Sequence, residues 1–286
     1  MPFFSVIITT YNSEKYIRRT IKCLQRQSYK NFEIIFIDDA SSDQTIKIIK
    51  SFKLINSNIE VLKKNFGGPS KGRNLGLKKA KGKWIVFLDA DDFWKKDILQ
   101  IVFNNIKINK HFEVFSTREI CVNKNDSTKK NIKFFDYKNE YFYNFLIYGN
   151  QLSPSSSFLS LKFLKKNKLE FSELKKFISV EDYDFWLKLA RLNARFFYIK
   201  KYLCYYILNK KNLSLKKKHK KNFCNLLKYY INFLPTSISM QICNRLKFLK
   251  IMDSNNTKRK FFSIINFFFK NPFQFLRNLQ IKIQCF

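Results

Sequence analysis

Four apolar runs, each followed by a polar turn and a helical pattern, fill the first 95 residues of this 286-residue chain. The runs lie at 5–10, 32–37, 60–63 and 84–88, and they are rich in Ile, Val and Phe. Runs this short and continuous are typical of strands buried on both faces of a sheet. Alternating strands and helices predict a parallel, doubly wound α/β sheet with right-handed crossovers.

Paired acidic residues directly follow two of these predicted strands. Asp38 and Asp39 follow the second run, and Asp89, Asp91 and Asp92 follow the fourth. Ligands of open α/β sheets bind outside the carboxyl ends of the strands. Carboxylates this close repel one another, and a divalent cation relieves that repulsion. The alternative is a solvated acidic turn, which the repetition at two strand ends disfavours.

Composition and missing motifs restrict the class of protein. The 55 Lys and Arg residues outnumber the 21 acidic ones, giving a net charge of +34. This charge predicts attraction to nucleic acid, an acidic membrane leaflet or a phosphorylated substrate. Six Cys without a C-x-x-C pair and only two His argue against zinc. Neither G-x-G-x-x-G after the first strand nor a P-loop is present, which disfavours a dinucleotide cofactor and P-loop phosphoryl transfer.

The last 86 residues have a different character, with 18 Lys or Arg against the single acidic residue Asp253. One interpretation is a helical cap with a solvated basic face. The other, which we favour, is an amphipathic segment whose cations meet anionic lipid while its Phe side chains insert. The first residues do not resemble a signal peptide, and no apolar stretch approaches about 20 residues. We therefore expect a cytoplasmic protein, peripheral on the inner face of the cell membrane.

The middle of the chain gives weaker patterns, from which we assign elements and domains. The predicted elements are a helix at 96–107, a strand at 112–117, a loop at 123–131, a helix at 139–148, a return to the sheet at 154–159, a helix at 181–192 and a last strand at 194–199. We expect one domain over 1–200, with a nucleotide-binding half at 1–95 and an acceptor-binding half at 96–200. The basic helical extension would then occupy 201–286.

Taken together, the motifs resemble those of family 2 inverting glycosyltransferases. The matching segments are Ser-Val-Ile-Ile-Thr-Thr-Tyr-Asn at 5–12, Ile-Asp-Asp-Ala-Ser-Ser-Asp at 37–43, Gly-Arg-Asn-Leu-Gly at 72–76, Phe-Leu-Asp-Ala-Asp-Asp at 87–92 and Glu-Asp at 181–182. The resemblance covers about 200 residues and implies a GT-A fold, a Rossmann-like, mostly parallel sheet flanked by helices. It also implies transfer of a hexose or N-acetylhexosamine from a nucleotide sugar, most simply a UDP-sugar. The acceptor would be a hydroxyl of a cell-surface glycan or a lipid-linked acceptor.

The resemblance also implies the donor site. Its nucleotide-binding residues would be Thr9, Tyr11, Asp39, Arg73 and Asp89. Asp39 would accept from the nucleobase N–H, with Thr9 and Tyr11 lining the base, and Asp89 would bind the ribose hydroxyls. Asp91 would coordinate Mg²⁺ or Mn²⁺, which neutralises charge on a departing diphosphate. The alternative for Arg73 is an ordinary surface arginine of a helix.

Asp182 is the predicted catalytic base, since the transfer requires a group that deprotonates the acceptor hydroxyl. As the alternative, its charge would serve only the stability of a helix N-terminus. Glu181, Trp186 and Asp92 are predicted to support the site, with the Trp186 ring stacking on an acceptor sugar or simply lying in the core. The family often carries a Tyr-Arg-x-His-type segment after the last strand. Residues 206–214 here keep Tyr206 and Ser214 but lack the Arg and His, and Lys210 or Lys211 would substitute less directionally than arginine.

Two other functions fit part of the sequence. A non-enzymatic polyanion-binding protein would use basic patches interleaved with aromatics. Acidic clusters at strand ends would repel phosphates, so we expect no nucleic acid partner. A nucleotidyltransferase of related fold would need a Gly-rich, basic loop after the first strand, and Tyr-Asn-Ser at 11–13 is not one.

Overall fold

The computed structural model describes residues 1–52, 59–123, 129–131, 141–208 and 217–252. Its strands are β1 (Phe4–Thr10), β2 (Phe32–Asp38), β3 (Ile59–Lys63), β4 (Trp84–Phe87), β5 (Phe93–Trp94), β6 (Val114–Asn123), β7 (Lys129–Asn131), β8 (Ser157–Ser160) and β9 (Phe196–Leu208). Its helices are α1 (Glu14–Gln25), α2 (Thr45–Ser51), α3 (Pro69–Lys79), α4 (Ile98–Ile108), α5 (Tyr141–Tyr148), α6 (Leu161–Lys166), α7 (Glu181–Arg191), α8 (Lys217–Ile231) and α9 (Thr236–Met252). The predicted strands and helices of the first 95 residues are confirmed, with bounds that differ by a few residues at most.

The first four strands lie in the order β3-β2-β1-β4, and every pair of neighbours is parallel. Phe4 of β1 is in register with Phe32 of β2 and with Trp84 of β4. The carboxyl ends of these strands therefore lie along one edge of the sheet, where an open α/β fold binds its ligands. The predicted parallel sheet is confirmed for this half of the molecule.

The second half of the sheet is mixed and continues in the order β8-β6-β9-β5. β8 is antiparallel to β4 and to β6, whereas β6 is parallel to β9. β9 runs to Leu208, beyond the predicted end at residue 199, because β6 offers it a partner along almost its whole length. Part of the loop predicted at 123–131 is strand β7, which pairs with β6.

The sheet carries one hydrophobic cluster on each face. One cluster includes Ile17 of α1 and Leu99 of α4. The other includes Leu77 of α3, Trp186 of α7 and Leu226 of α8. A sheet covered by helices on both faces is the architecture of the doubly wound class, so the predicted fold class is confirmed.

The C-terminal helices belong to this core and do not form a separate unit in the described part of the chain. Leu226, Leu227 and Tyr230 of α8 and Ile242 of α9 are at most 2% exposed. The predicted boundary between residues 200 and 201 falls inside β9, because the pairing with β6 carries the sheet past that point. Lys210 and Lys211 of the 206–214 segment, and the Phe-rich stretch at 261–275 of the predicted extension, lie outside the described residues. Among the described helices, none has the length and apolarity needed to cross a bilayer.

Candidate active site

The two aspartates that end β2 have separate tasks. Asp38 is fully buried and accepts hydrogen bonds from the Thr10 hydroxyl at 2.9 Å and from the Ser41 backbone N–H at 2.8 Å. These bonds tie the end of β2 to the end of β1. Asp38 is therefore a structural residue, and Asp39 is the member of the pair that reaches the rim of the sheet.

Asp39 holds the loop that precedes α3. Its carboxylate accepts from the backbone N–H groups of Phe66, Gly67 and Gly68. Gly67 and Gly68 have φ angles of +69° and +144°, which side-chain-bearing residues rarely adopt. A carboxylate has about four lone-pair positions, so three backbone bonds leave room for one further donor, as the predicted nucleobase contact requires.

The two other predicted base-lining residues lie at the end of β1. Thr9 is half-buried, and Tyr11 is 65% exposed. A Cβ added at Gly72 of α3 would lie 3.2 Å from Cγ2 of Thr9, so this glycine lets the helix approach the strand end closely. The base-lining roles of Thr9 and Tyr11 stay predictions.

Arg73 is a buried clamp that joins the predicted donor side to the predicted catalytic helix through two ion pairs. Its Nη2 lies 3.0 Å from Oδ1 of Asp89, and its Nη1 lies 2.9 Å from Oε1 of Glu181. Burial alone would lower the pKa of Arg73, but the two carboxylates raise it above its usual value. The alternative of a surface arginine is wrong, because the residue is only 5% exposed and bridges the segment after β4 and the start of α7.

Asp182 lies in the first turn of α7, beside the clamp. Its Oδ1 accepts from the backbone N–H of Tyr183 at 2.7 Å, and its Oδ2 accepts from Nδ2 of Asn150 at 3.0 Å. Burial and the neighbouring Glu181 carboxylate raise the pKa of Asp182 to about 7, against the opposing effect of Arg73. A carboxylate with a pKa near neutrality is suited to general-base catalysis.

The acidic segment after β4 contains one structural and two rim carboxylates. Asp92 is 1% exposed and accepts from the Ser155 hydroxyl at 2.6 Å and from the backbone N–H of Ile207 at 3.0 Å. Burial and the nearby Asp91 and Asp89 raise its pKa well above the usual value. Asp92 therefore anchors the acidic segment to Ser155 and Ile207 inside the protein, whereas Asp89 and Asp91 are half-buried at the rim.

The rim suits a cation that a ligand helps to hold. Among the described residues, no three His, Cys, Asp or Glu side chains come together as a complete metal site. Mg²⁺ at nucleotide sites typically takes one or two carboxylates and completes its shell with phosphates and water. Asp91 fits this pattern, since Oδ1 of the nearby Asp89 is already engaged by Arg73.

Trp186 is in the core and does not reach an acceptor. Its side chain is 0% exposed and packs edge-on against Phe185, 5.6 Å between ring centroids. Of the two alternatives for Trp186, stacking on a sugar is therefore wrong and the position in the core is the one observed, as for most of α7, where eight of the eleven residues are buried. Sequence reasoning also missed Asn150 and Ser155, which reach the site through side-chain hydrogen bonds. Asn150 lies between two predicted elements, and Ser155 lies in the stretch at 154–159, which the sequence pattern assigns only to the sheet.

Comparison with known proteins places this geometry in a family. The family model "Glycosyl transferase family 2" matches residues 5–163. TarS of Staphylococcus aureus, a poly(ribitol-phosphate) β-N-acetylglucosaminyltransferase, is 42% identical over 100 residues. That match covers 34% of this chain and only 18% of the length of TarS. An uncharacterized glycosyltransferase of Haemophilus influenzae is 32% identical over 188 residues, which are 65% of this chain and 71% of the relative.

A solved structure extends the similarity to most of the chain. The crystal structure of S. aureus TarS 1–349 in complex with UDP-GlcNAc matches with a TM-score of 0.69 and 28% sequence identity. The match covers 93% of this chain and 80% of the TarS chain. It confirms the predicted GT-A type of fold. With a family model that matches more than half of its length, the chain belongs to glycosyl transferase family 2.

Proposed function

We propose that this protein is an inverting glycosyltransferase that moves a hexose or N-acetylhexosamine from a UDP-sugar to a hydroxyl of a cell-surface glycan or a lipid-linked acceptor. The observation that carries the proposal is the clamp of Arg73, which binds Asp89 at the donor rim and Glu181 beside Asp182. One side chain thereby brings a nucleotide-binding edge and a candidate base into one site. The similarity to TarS in complex with UDP-GlcNAc supports a UDP-sugar donor.

The proposed reaction is a single displacement at the anomeric carbon. The acceptor oxygen forms the new bond to that carbon while the bond to the oxygen of UDP breaks on the opposite face. The acceptor proton passes to the carboxylate of Asp182, so the products are the glycoside and UDP. The pKa of about 7 leaves a large fraction of Asp182 ionised at neutral pH and able to take the proton.

The rim residues would hold the nucleotide. Asp39 and Asp89 would accept from the base and the ribose, with Thr9 and Tyr11 beside the base. Mg²⁺ or Mn²⁺ held by Asp91 and the diphosphate would neutralise charge on the leaving group. Glu181 would support the acceptor side, and its second oxygen, buried without a partner among the described residues, is consistent with that role.

A lipid-linked acceptor would also give the basic C-terminal part a place. An enzyme that joined a nucleotide sugar to such an acceptor would work at the cytoplasmic face of the membrane, where cationic side chains favour the anionic surface. Co-sedimentation with vesicles of anionic and of neutral lipid tests this part of the proposal. Equal recovery with both vesicle types would contradict it without affecting the reaction class.

The donor and the chemistry are tested together. We expect a UDP-sugar, in the presence of Mn²⁺, to raise the melting temperature more than GDP- or dTDP-sugars do. NMR of the product with the accepted donor should show the anomeric configuration opposite to that of the donor. Retention of configuration, or stabilisation by no nucleotide sugar, would refute the proposal.

The base is tested by Asp182→Asn, which removes the proton acceptor and keeps the shape. We expect transfer to fall by about 10²- to 10⁴-fold, while the Kd for UDP stays near the wild-type value. Asp97→Asn is the matched control, since Asp97 precedes α4 and its side chain makes no capping hydrogen bond. Loss of UDP affinity in Asp182→Asn would assign the residue to the donor site instead.

A further inference from the structure

The orientation of the Asp182 carboxylate depends on one side chain from outside its own helix. Oδ1 is held by the N–H of Tyr183, a local contact that any aspartate at this position could make. Oδ2 is held by Nδ2 of Asn150 at 3.0 Å, 32 residues away in the chain. The second contact is therefore the one that fixes where the basic oxygen points.

The amide of Asn150 is itself held in one orientation. Its Oδ1 accepts from the backbone N–H of Leu152 at 3.2 Å, so its oxygen faces a donor and its nitrogen faces the carboxylate. Asn150 follows α5 through Gly149, whose φ of +96° favours glycine. The turn after α5 is thus shaped to present an N–H group to Asp182.

The C-terminal helix α9 holds this turn in place. Arg245 is 6% exposed, and its Nη1 donates to the backbone carbonyls of Leu146 and Ile147, both at 2.9 Å. These carbonyls lie in the last turn of α5, where cationic groups are stabilising. A Cβ added at Gly149 would lie 2.6 Å from Nη2 of Arg245, so the guanidinium closely covers the turn.

We propose that Asn150 is a positioning residue for the catalytic base, and that Arg245 of the C-terminal extension holds the turn that presents it. The inference rests on the proposed function, in which Asp182 is the base. It gives α9 a task inside the active site that is separate from any membrane contact.

Asn150 also influences the charge of Asp182. An N–H that donates to a carboxylate favours its ionised form. Among the described residues, the charged groups that face Asp182 are Glu181 on its own helix and Arg73 from α3, with Asp89 beyond Arg73. Arg245 of α9 lies behind the Asn150 turn. His219 of α8 contacts Ser179 and lies on the Glu181 side. Glu181 opposes the ionisation of Asp182 and Arg73 favours it. Removal of the Asn150 donor should therefore raise the pKa of Asp182 and favour the protonated acid.

The test is Asn150→Asp, which keeps the shape and replaces the donor by a second carboxylate. We expect the acidic limb of the pH profile of kcat/KM to move to higher pH by at least about one pH unit, while the Kd for UDP changes little. Gln100→Glu makes the same amide-to-acid change on α4, where the Gln100 amide donates to Oδ1 of Asn104 at an exposed position, and should leave the profile in place. A ¹³C NMR titration, with the Asp182 resonance assigned through Asp182→Asn, follows the same pKa without any turnover.

The outcomes separate the two proposals. If no nucleotide sugar supports turnover, the proposed function fails, and the NMR titration still decides whether Asn150 controls Asp182. If the enzyme is active and the Asp182 pKa is the same in Asn150→Asp as in the wild type, the positioning role is refuted. Arg245→Met should move the profile in the same direction in protein that still binds UDP, and an unmoved profile there would refute the role of α9.

Discussion

Replacing Arg73 with Met should leave a buried carboxylate without its ion-pair partner, and the structure indicates which carboxylate this is. The side chain of Glu181 is 6% exposed, whereas that of Asp89 is 30% exposed. Removing one partner of a buried ion pair costs about 3–5 kcal/mol of unfolding free energy. Asp89 can regain water when the guanidinium is lost, but Glu181 cannot, so most of this cost should come from Glu181.

Second-site substitutions measure how much of this loss of unfolding free energy comes from Glu181 and how much from Asp89. Adding Glu181→Gln to Arg73→Met removes the stranded charge and should recover about 2 kcal/mol, within the range of coupling energies for contacting residues. Adding Asp89→Asn should recover less than about 1 kcal/mol, as for a partly exposed pair. Urea denaturation at pH 7, followed by circular dichroism, gives each free energy by linear extrapolation. Equal rescue by the two changes, or greater rescue by Asp89→Asn, would refute the reasoning.

Three further predictions concern the base, the cation and the packing of α3. Transfer should increase as the pH rises through about 7, because Asp182 must ionise to act as the base. Because the pKa of Asp182 is raised in the folded state, its ionisation destabilises the protein at high pH. Asp182→Asn should therefore be more stable than the wild type at pH 8 and not at pH 4, which urea denaturation at both pH values measures. EDTA should abolish transfer and added Mn²⁺ restore it, whereas Asp91→Ala should stay inactive with Mn²⁺; undiminished activity in that variant would contradict the metal role. Gly76→Ala should destabilise the fold by about 1–3 kcal/mol, since the new Cβ would lie 2.4 Å from Cγ2 of Ile7, and Gly72→Ala, with its nearest atoms at 3.2 Å, should cost clearly less in the same urea assay.

The first half of the fold could be predicted because its information is local. Each strand from β1 to β4 is a short apolar run, and β1, β2 and β3 are each followed by a helix that begins within seven residues of the end of the strand. Parallel strands joined in this way leave few alternative arrangements. The rim position of Asp39, Asp89 and Asp91 follows from the same logic, because carboxyl ends of parallel strands share one edge.

The second half depends on contacts between distant parts of the chain. The length of β9 follows from pairing with β6, some 80 residues earlier, which a reading of 194–199 alone does not contain. Trp186 and Asp92 are predicted to support the site because they lie in or beside the motifs. In the structure, α7 packs Trp186 into the core, and the segment of Ser155 covers Asp92. Burial of this kind is decided by which elements cover a residue, and neighbouring letters in the sequence do not record it.

The binding of the Phe66–Gly68 loop by Asp39 has a consequence for the energetics of association. Three backbone groups of this loop are fixed by one carboxylate before any ligand arrives. A nucleotide that meets an already ordered loop loses less conformational entropy on binding than one that must organise the loop itself. Donor affinity in this enzyme would then be limited by contacts with the nucleotide, with little free energy lost to ordering the protein.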